Sequence, residues 1–191
     1  TGSSNFPVSA SAFQGTFAGG DSIYLDGYNF KNGTDIFVAK FNATGSNLLA
    51  ATYLGGTEND GLNWNIASNY ADQSRGEIVI GDDNMVYITA STLSGDFPVL
   101  NAAQSTMGGN QEAVVVKLNN TLSALSWSTF FGGTLNDAGY GIKVGSNNAV
   151  YICGAPTGSV LAGTSGNYQM AYQGGSRDGF IAEFNPTTGA L

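Results

Sequence analysis

Residues Asp35 to Asp60 read DIFVAKFNATGSNLLAATYLGGTEND, and residues Glu112 to Asp137 read EAVVVKLNNTLSALSWSTFFGGTLND. The two stretches align without a gap at an offset of 77, with twelve of 26 positions identical. The identities include Lys40/Lys117, Asn42/Asn119, Thr52/Thr129 and the block Gly55-Gly56-Thr57 with Gly132-Gly133-Thr134. Because they fall in apolar runs and in turn residues alike, they mark a repeated structural unit rather than an isolated motif. A third copy opens at Asp178 (DGFIAEFNPTTGAL) and runs to Leu191.

Working outward, further elements recur. Glu77 to Ala90 (EIVIGDDNMVYITA) matches Gly141 to Gly154 (GIKVGSNNAVYICG) at an offset of 64. Asn5-Phe6-Pro7-Val8 is answered by Asp96-Phe97-Pro98-Val99, and a Gln followed by an apolar residue and Gly-Gly occurs at Gln14, Gln104 and Gln169. Short β-branched and aromatic runs separated by Gly, Asn and Asp are strand and turn chemistry, and no segment holds a capped helical period. Strands are expected at 36–41, 48–54, 77–80, 85–89, 114–118, 125–131, 142–144, 150–153 and 180–184. The pairs around Gly81-Asp82-Asp83-Asn84 and Gly145-Ser146-Asn147-Asn148 read as hairpins.

One period therefore holds four antiparallel strands, the content of one propeller blade. A lone four-stranded sheet cannot bury both faces, so such units stack. Phe37, Tyr87, Val115, Trp127, Phe131 and Tyr151 are the expected filling between blades. The expectation is an all-β array of about three blades: residues 1–60 a partial first blade, 61–137 a second and 138–191 a partial third.

These residues resemble the SBBP repeat family, named for a seven-bladed β-propeller. The resemblance rests on Asp35-Ile36-Phe37-Val38-Ala39-Lys40, Tyr53-Leu54-Gly55-Gly56, Asn59-Asp60, Gly141-Ile142-Lys143-Val144, Asn148-Ala149-Val150-Tyr151-Ile152 and Asp96-Phe97-Pro98, and it covers nearly the whole chain. Glu112 replaces the strand-opening Asp of the pattern, and Glu183 replaces its Lys. The resemblance implies a segment of a large secreted or surface-displayed bacterial protein, located outside the cell, with no family-wide catalytic residue. Its partners would be other blades of the same or a larger polypeptide, together with surface glycans or other surface proteins. A closed ring of such units would need about 260 residues or more. The expectation is thus a fragment, an open array, or a piece completed by further chain or another subunit.

Composition narrows the function classes. The chain has 191 residues, a net charge of −8 and only six basic residues, scattered along its length. A nucleic-acid surface needs clustered Lys and Arg, so nucleic acid is not an expected partner, and neither is an anionic membrane. With no histidine, the usual general base and metal ligand are missing. Cys153, the only cysteine, lies in the apolar run Val150-Tyr151-Ile152-Cys153 and reads as a buried small hydrophobe.

Two insertions break the register, and loops on a rigid scaffold carry function more often than the scaffold does. The first, Asp21 to Thr34, is replaced by two residues between Gly109 and Glu112. The second lies between Asp60 and Glu77 and exceeds its counterpart by 13 residues. Trp64, Asn65, Tyr70 and Asp72 in the second, with Tyr24 and Tyr28 in the first, combine aromatic rings with amides and carboxylate, as a sugar site requires. The competing reading is that these rings pack the loops down. Asp21, Asp26, Asn29 and Asp35 are oxygen donors of the kind calcium takes. Their spacing matches no EF-hand loop, and turn-forming Asx residues explain them equally; no other cofactor is expected. Asn59-Asp60 and Asn136-Asp137 read as caps of the turn after Gly-Gly. The functional expectation is a non-catalytic scaffold, adhesin or binding module. The alternative is part of a carbohydrate-active propeller enzyme or a lectin-like glycan binder.

Overall fold

The structure, a computed structural model, describes residues 1–25, 27–68, 72–158 and 174–191. The elements are all β-strands, and all their pairings are antiparallel. Strands β1 (Ile23–Leu25) and β2 (Tyr28–Phe30) form a hairpin in the first insertion. Strands β3 (Ile36–Phe41) and β4 (Leu48–Leu54) make a first, two-stranded sheet. The second sheet holds β5 (Glu77–Ile80), β6 (Val86–Thr92), β7 (Glu112–Leu118) and β8 (Leu125–Phe131) in the order β5-β6-β7-β8. The third holds β9 (Asp137–Val144), β10 (Val150–Pro156) and β11 (Phe180–Phe184) in the order β9-β10-β11. No helix among the described residues is long and apolar enough to cross a membrane.

The repeat is reproduced turn by turn. In both hairpins predicted around Asn84 and Asn148, a Gly carbonyl accepts from the amide three residues on: Asn84 N to Gly81 O at 2.9 Å and Asn148 N to Gly145 O at 2.8 Å. The two Asn residues take left-handed φ values of 57° and 60°, which Asn tolerates better than most residues. Between β3 and β4, Asn42 Oδ1 accepts from the Ser46 and Asn47 amides, and between β7 and β8 Asn119 Oδ1 accepts from Ser123 and Ala124. In the third copy Asn185 Oδ1 also caps the turn, but accepts from the nearer amides of Thr187 and Thr188.

Strand alternation gives each sheet two faces, and the second sheet is covered on both. One face sends Ile88, Val114, Val116 and Phe130 against Val38, Ala50 and Leu54 of the first sheet. The other sends Tyr87, Val115, Trp127 and Phe131 against Ile142, Ile152, Phe180 and Phe184 of the third. Repeat-equivalent residues do equivalent work: Val38 and Val115, 77 residues apart, each point at the following sheet. Across each interface the mid-strand lysine reaches a carbonyl of the next sheet's loop, Lys40 Nζ to Asn120 O at 3.1 Å and Lys117 Nζ to Pro186 O at 2.8 Å.

Several expectations are corrected. Tyr87, Val115, Trp127 and Phe131 lie between sheets as expected, but Phe37 and Tyr151 do not. Phe37 faces away from the second sheet and packs with Phe6 and Tyr53, while Tyr151 is exposed on the outer face of the third sheet. Cys153 shares that outer face and is exposed, not buried; its counterpart Thr89 is fully buried because the third sheet covers it. Strand β6 runs on to Thr92 and β9 starts at Asp137, since their small polar ends still pair with Glu112 and Pro156. The β1–β2 hairpin in the first insertion was not expected.

Candidate functional site

The two insertions are brought together. Ile23, Leu25 and Phe30 of the first pack on Leu62 at the start of the second, forming a small core of their own. This leaves Tyr24 and Tyr28 exposed on the hairpin. In the second insertion Leu62, Asn63 and Ile66 point inward, while Trp64 stands 45% exposed. The anchor is a polar chain: Gln111 Nε2 donates to Asn63 Oδ1 at 2.8 Å, and Asn63 Nδ2 donates to the Tyr140 hydroxyl at 3.1 Å. Asn65 is tied through its amide to Gln111 Oε1 at 2.8 Å and through Nδ2 to Asn136 Oδ1 at 3.2 Å. Asp72 accepts from the Ser68 amide and pairs with Arg75 at 3.6 Å, and the Arg75 guanidinium lies over the Tyr140 ring. Burial raises the Tyr140 hydroxyl pKa, the nearby Asp72 charge adding to the effect. Tyr70 lies outside the described residues. Trp64 thus emerges as a half-exposed ring held on a hydrogen-bonded loop, with Tyr24 and Tyr28 on the adjoining hairpin.

The residues considered for calcium are not gathered. Asp35 is fully buried, with its carboxylate accepting from the amides of Ala18 at 2.7 Å and Gly19 at 2.9 Å. Asn29 accepts from Ser22 on the hairpin, and Asp21 is exposed. Asp26 lies outside the described residues. Among the described residues no group of three or more His, Cys, Asp or Glu is placed to hold a metal.

Asp35 belongs instead to a repeated set of buried carboxyl groups that the sequence pattern only half reveals. Its counterpart Glu112 accepts from the amides of Gly108 at 2.5 Å and Gly109 at 3.0 Å, and from Gln104 Nε2 at 2.9 Å. Asp60 accepts from the Gly56 amide, Ser94 Oγ and Thr92 Oγ1, and its counterpart Asp137 accepts from the Gly133 amide. The first Gly of each Gly-Gly block separates the two carboxyls: a Cβ on Gly55 would stand 2.6 Å from Asp60 and 3.0 Å from Asp35. Desolvation pushes Asp60 up to about 7, its hydrogen bonds from Thr92, Gly56 and Ser94 opposing, and the neighbouring Asp35 charge adding to the rise. Desolvation likewise raises Glu112 to about 7 and Asp137 to about 6. These four groups bind the clasps Gln14–Gly20 and Gln104–Gly109 and the Gly-Gly-Thr turns to the sheet. The expected capping role of Asp60 and Asp137 is what the hydrogen bonds show. The legible signal was spacing: Gly-Gly is followed by an acid at Asp60, Glu112 and Asp137.

A cavity of about 430 Å³ lies between β3 and the β5–β6 hairpin, bounded also by Leu25, Leu62 and Arg75 of the insertions. A comparison of the chain with protein-family models and with curated proteins finds no match.

Proposed function

We propose that this chain is a segment of an extracellular bacterial β-propeller of the SBBP-repeat type, serving as a non-catalytic scaffold that binds partners through its insertion loops. The observation that carries this reading is the division of labour along the chain. Most aromatic side chains of the repeated strands are spent on packing, Phe41 and Tyr151 standing exposed, and the acids Asp35, Asp60, Glu112 and Asp137 are spent on backbone amides. Exposed aromatics beside amides and carboxylate are found on the two insertions, at Trp64, Tyr24 and Tyr28. The partner class is a surface glycan or a surface protein, whose apolar faces the rings would cover while Asn65 and Asp72 fix polar groups. Carboxyls with raised pKa values are what a glycan hydrolase would use, but here Asp60 and Glu112 are buried against amides and hydroxyls inside turns, which favours a structural role.

A single such loop binds weakly, in the micromolar-to-millimolar range, and gains strength from repetition on a surface. Glycan-array and surface-protein capture assays with wild type and Trp64→Ala test the reading. Binding that Trp64→Ala weakens tenfold or more is the expected result. Wild-type binding unaffected by Trp64→Ala would move the site elsewhere, and glycan cleavage by the chain would overturn the non-enzymatic reading.

A further inference from the structure

The polar chain of Gln111, Asn63 and Tyr140 has a direction that its hydrogen bonds fix. The Asn65 amide can only donate, so the Gln111 atom that receives it is the carbonyl oxygen Oε1. Gln111 Nε2 therefore donates to Asn63 Oδ1, and Asn63 Nδ2 donates to the Tyr140 hydroxyl. Gln111 and Asn63 are both fully buried, which holds the chain in that order. The Tyr140 oxygen is the acceptor in the last bond, so its own O–H remains to donate. Among the described residues nothing accepts that proton.

Tyr140 is aimed by the backbone. Strands β9 and β10 pair Gly141 with Cys153 and Gly139 with Gly154, which leaves Tyr140 as the extra residue of a β-bulge. Bulges re-aim a side chain in this way. The strand on either side is packed too closely for a Cβ: one on Gly141 would stand 2.9 Å from Cys153 Sγ, and one on Gly139 would collide with Thr89 Oγ1. At the offset of 64 the counterpart of Tyr140 is Gly76, so blade packing does not require the ring. Around it gather both arginines of the chain. The Arg75 guanidinium lies 5.1 Å from the ring centre, and its ion pair with Asp72, at 3.6 Å, is longer than a hydrogen bond. Arg177 donates through Nη1 to Ser68 Oγ, and the Ser68 amide donates to Asp72. Both guanidinium charges act on the Tyr140 hydroxyl. Two acids stand close by and both are engaged, Asp72 with Ser68 and Arg75, and Glu77 with the Ile142 amide at 2.7 Å.

We infer that Tyr140, Arg75 and Arg177 form a subsite for the carboxylate of an acidic sugar. A guanidinium fork matches the two oxygens of a carboxylate, and the Tyr140 O–H supplies a further donor. The inference rests on the reading that the insertion loops take surface glycans, and deepens it by naming the sugar class. Trp64 follows Asn63 directly and stands exposed, offering the ring face that a sugar covers. A chain of net charge −8 repels a polyanion, which favours a sugar with one carboxylate at this site.

The test titrates the 191-residue chain with trigalacturonate and with its methyl ester, using calorimetry for affinity and NMR shifts of the arginine Nε–H groups for location. The expected result is saturable binding of the acid with shifts at Arg75 and Arg177, and binding of the ester weaker by about tenfold or more. Tyr140→Phe keeps the ring beneath Arg75 and should cut the preference for acid over ester by about tenfold. Arg75→Gln with Arg177→Gln should abolish it. Preference is the deciding readout, because a disturbed loop lowers both affinities together. Trp64→Ala should weaken both ligands and leave the preference in place. Galactose 6-sulfate bound more tightly than galacturonic acid would assign the site to sulfate and overturn the inference, and tetra-aspartate bound more tightly than either would make the partner a protein and overturn it too. Equal binding of acid and ester, or a preference that survives the double variant, would remove the subsite and leave glycan binding at Trp64 standing. Failure of acid and ester alike would overturn the inference, and absence of binding to every glycan and surface protein would remove the reading beneath it.

Discussion

Asp60 and Glu112 are the residues at which composition misleads most. Acidic side chains in a chain of net charge −8 read as solvated surface, yet these two and their partners Asp35 and Asp137 are all buried. Their pH dependence follows from the direction of their shifts. A carboxyl raised from 3.8 to about 7, as at Asp60, or from 4.5 to about 7, as at Glu112, holds its proton more tightly in the folded state than in the unfolded one. Between those values the folded chain binds more protons, so stability falls as pH rises. The contribution is fully present below the unfolded value and is lost as pH passes through about 7. Urea denaturation should therefore give a higher midpoint near pH 5 than near pH 8, and Asp60→Asn with Glu112→Gln should flatten that difference. A midpoint that rises across this range would contradict the assignment. At this scale the spacing of Gly-Gly to the following acid was legible in the sequence, but burial was not, because it depends on the clasp at Gln104–Gly109 folding over from outside the strand. Cys153 fails for the opposite reason: its strand is apolar, but nothing among the described residues covers its side of the sheet.

Strands that recur in two copies were legible almost to the residue, since β3, β4, β5, β8 and β11 begin and end where the repeat register put them. Errors gather where small residues pair. Ala90-Ser91-Thr92 looks like a turn in isolation and extends β6 because Ala113 and Glu112 stand opposite. Asp137 to Gly141 looks like turn chemistry and extends β9 through a bulge at Cys153/Gly154. The β1–β2 hairpin had its signal in Asp26-Gly27 between two aromatic-containing runs, a favoured two-residue turn that the insertion's polarity masked. The element-scale device the repeat exposes is the lysine strap. Lys117 is buried, with its ammonium on Asp83 and on Pro186 O; burial opposes the Asp83 charge, but hydrogen bonds from Lys117, the Met85 amide and Tyr87 hold its pKa below the usual range. Lys117→Met should cost about 1.5–3 kcal/mol, since it removes the hydrogen bonds of a buried charged group, while Asp83 keeps those from the Met85 amide and the Tyr87 hydroxyl. Lys40→Met, at an exposed strap with no ion pair among the described residues, should cost under about 1 kcal/mol. Chemical denaturation of the two variants measures the difference, and equal costs would mean that the strap is not what holds the sheets together.

Among the described residues the three sheets form a stack in which only the middle sheet has a neighbouring sheet on each face. That asymmetry was legible as soon as the copies were aligned, because the second is the only one with all four strands. Which aromatics would be covered was not: Tyr87 and Tyr151 both sit in a Val-Tyr-Ile triplet, and the presence of a following sheet buries one while the other is left in solvent. Trp127 is the largest fully buried side chain, stacked on Phe184 and hydrogen-bonded through Nε1 to Pro186 O at 3.0 Å across the interface. Trp127→Ala should cost about 3–5 kcal/mol, whereas Ile181→Asp, at a residue 82% exposed on the outer face, should leave stability within about 0.5 kcal/mol of wild type. Regions with few buried contacts open first and cores last, so native-state hydrogen exchange reads the stack sheet by sheet. The account predicts that amides of β6 and β7 outlast those of β3–β4 and of β9–β11, with the outer sheets opening at lower free energy. Protection of β11 or β3 equal to or above that of β7 would contradict the claim that stacking between repeated sheets is what holds this protein together.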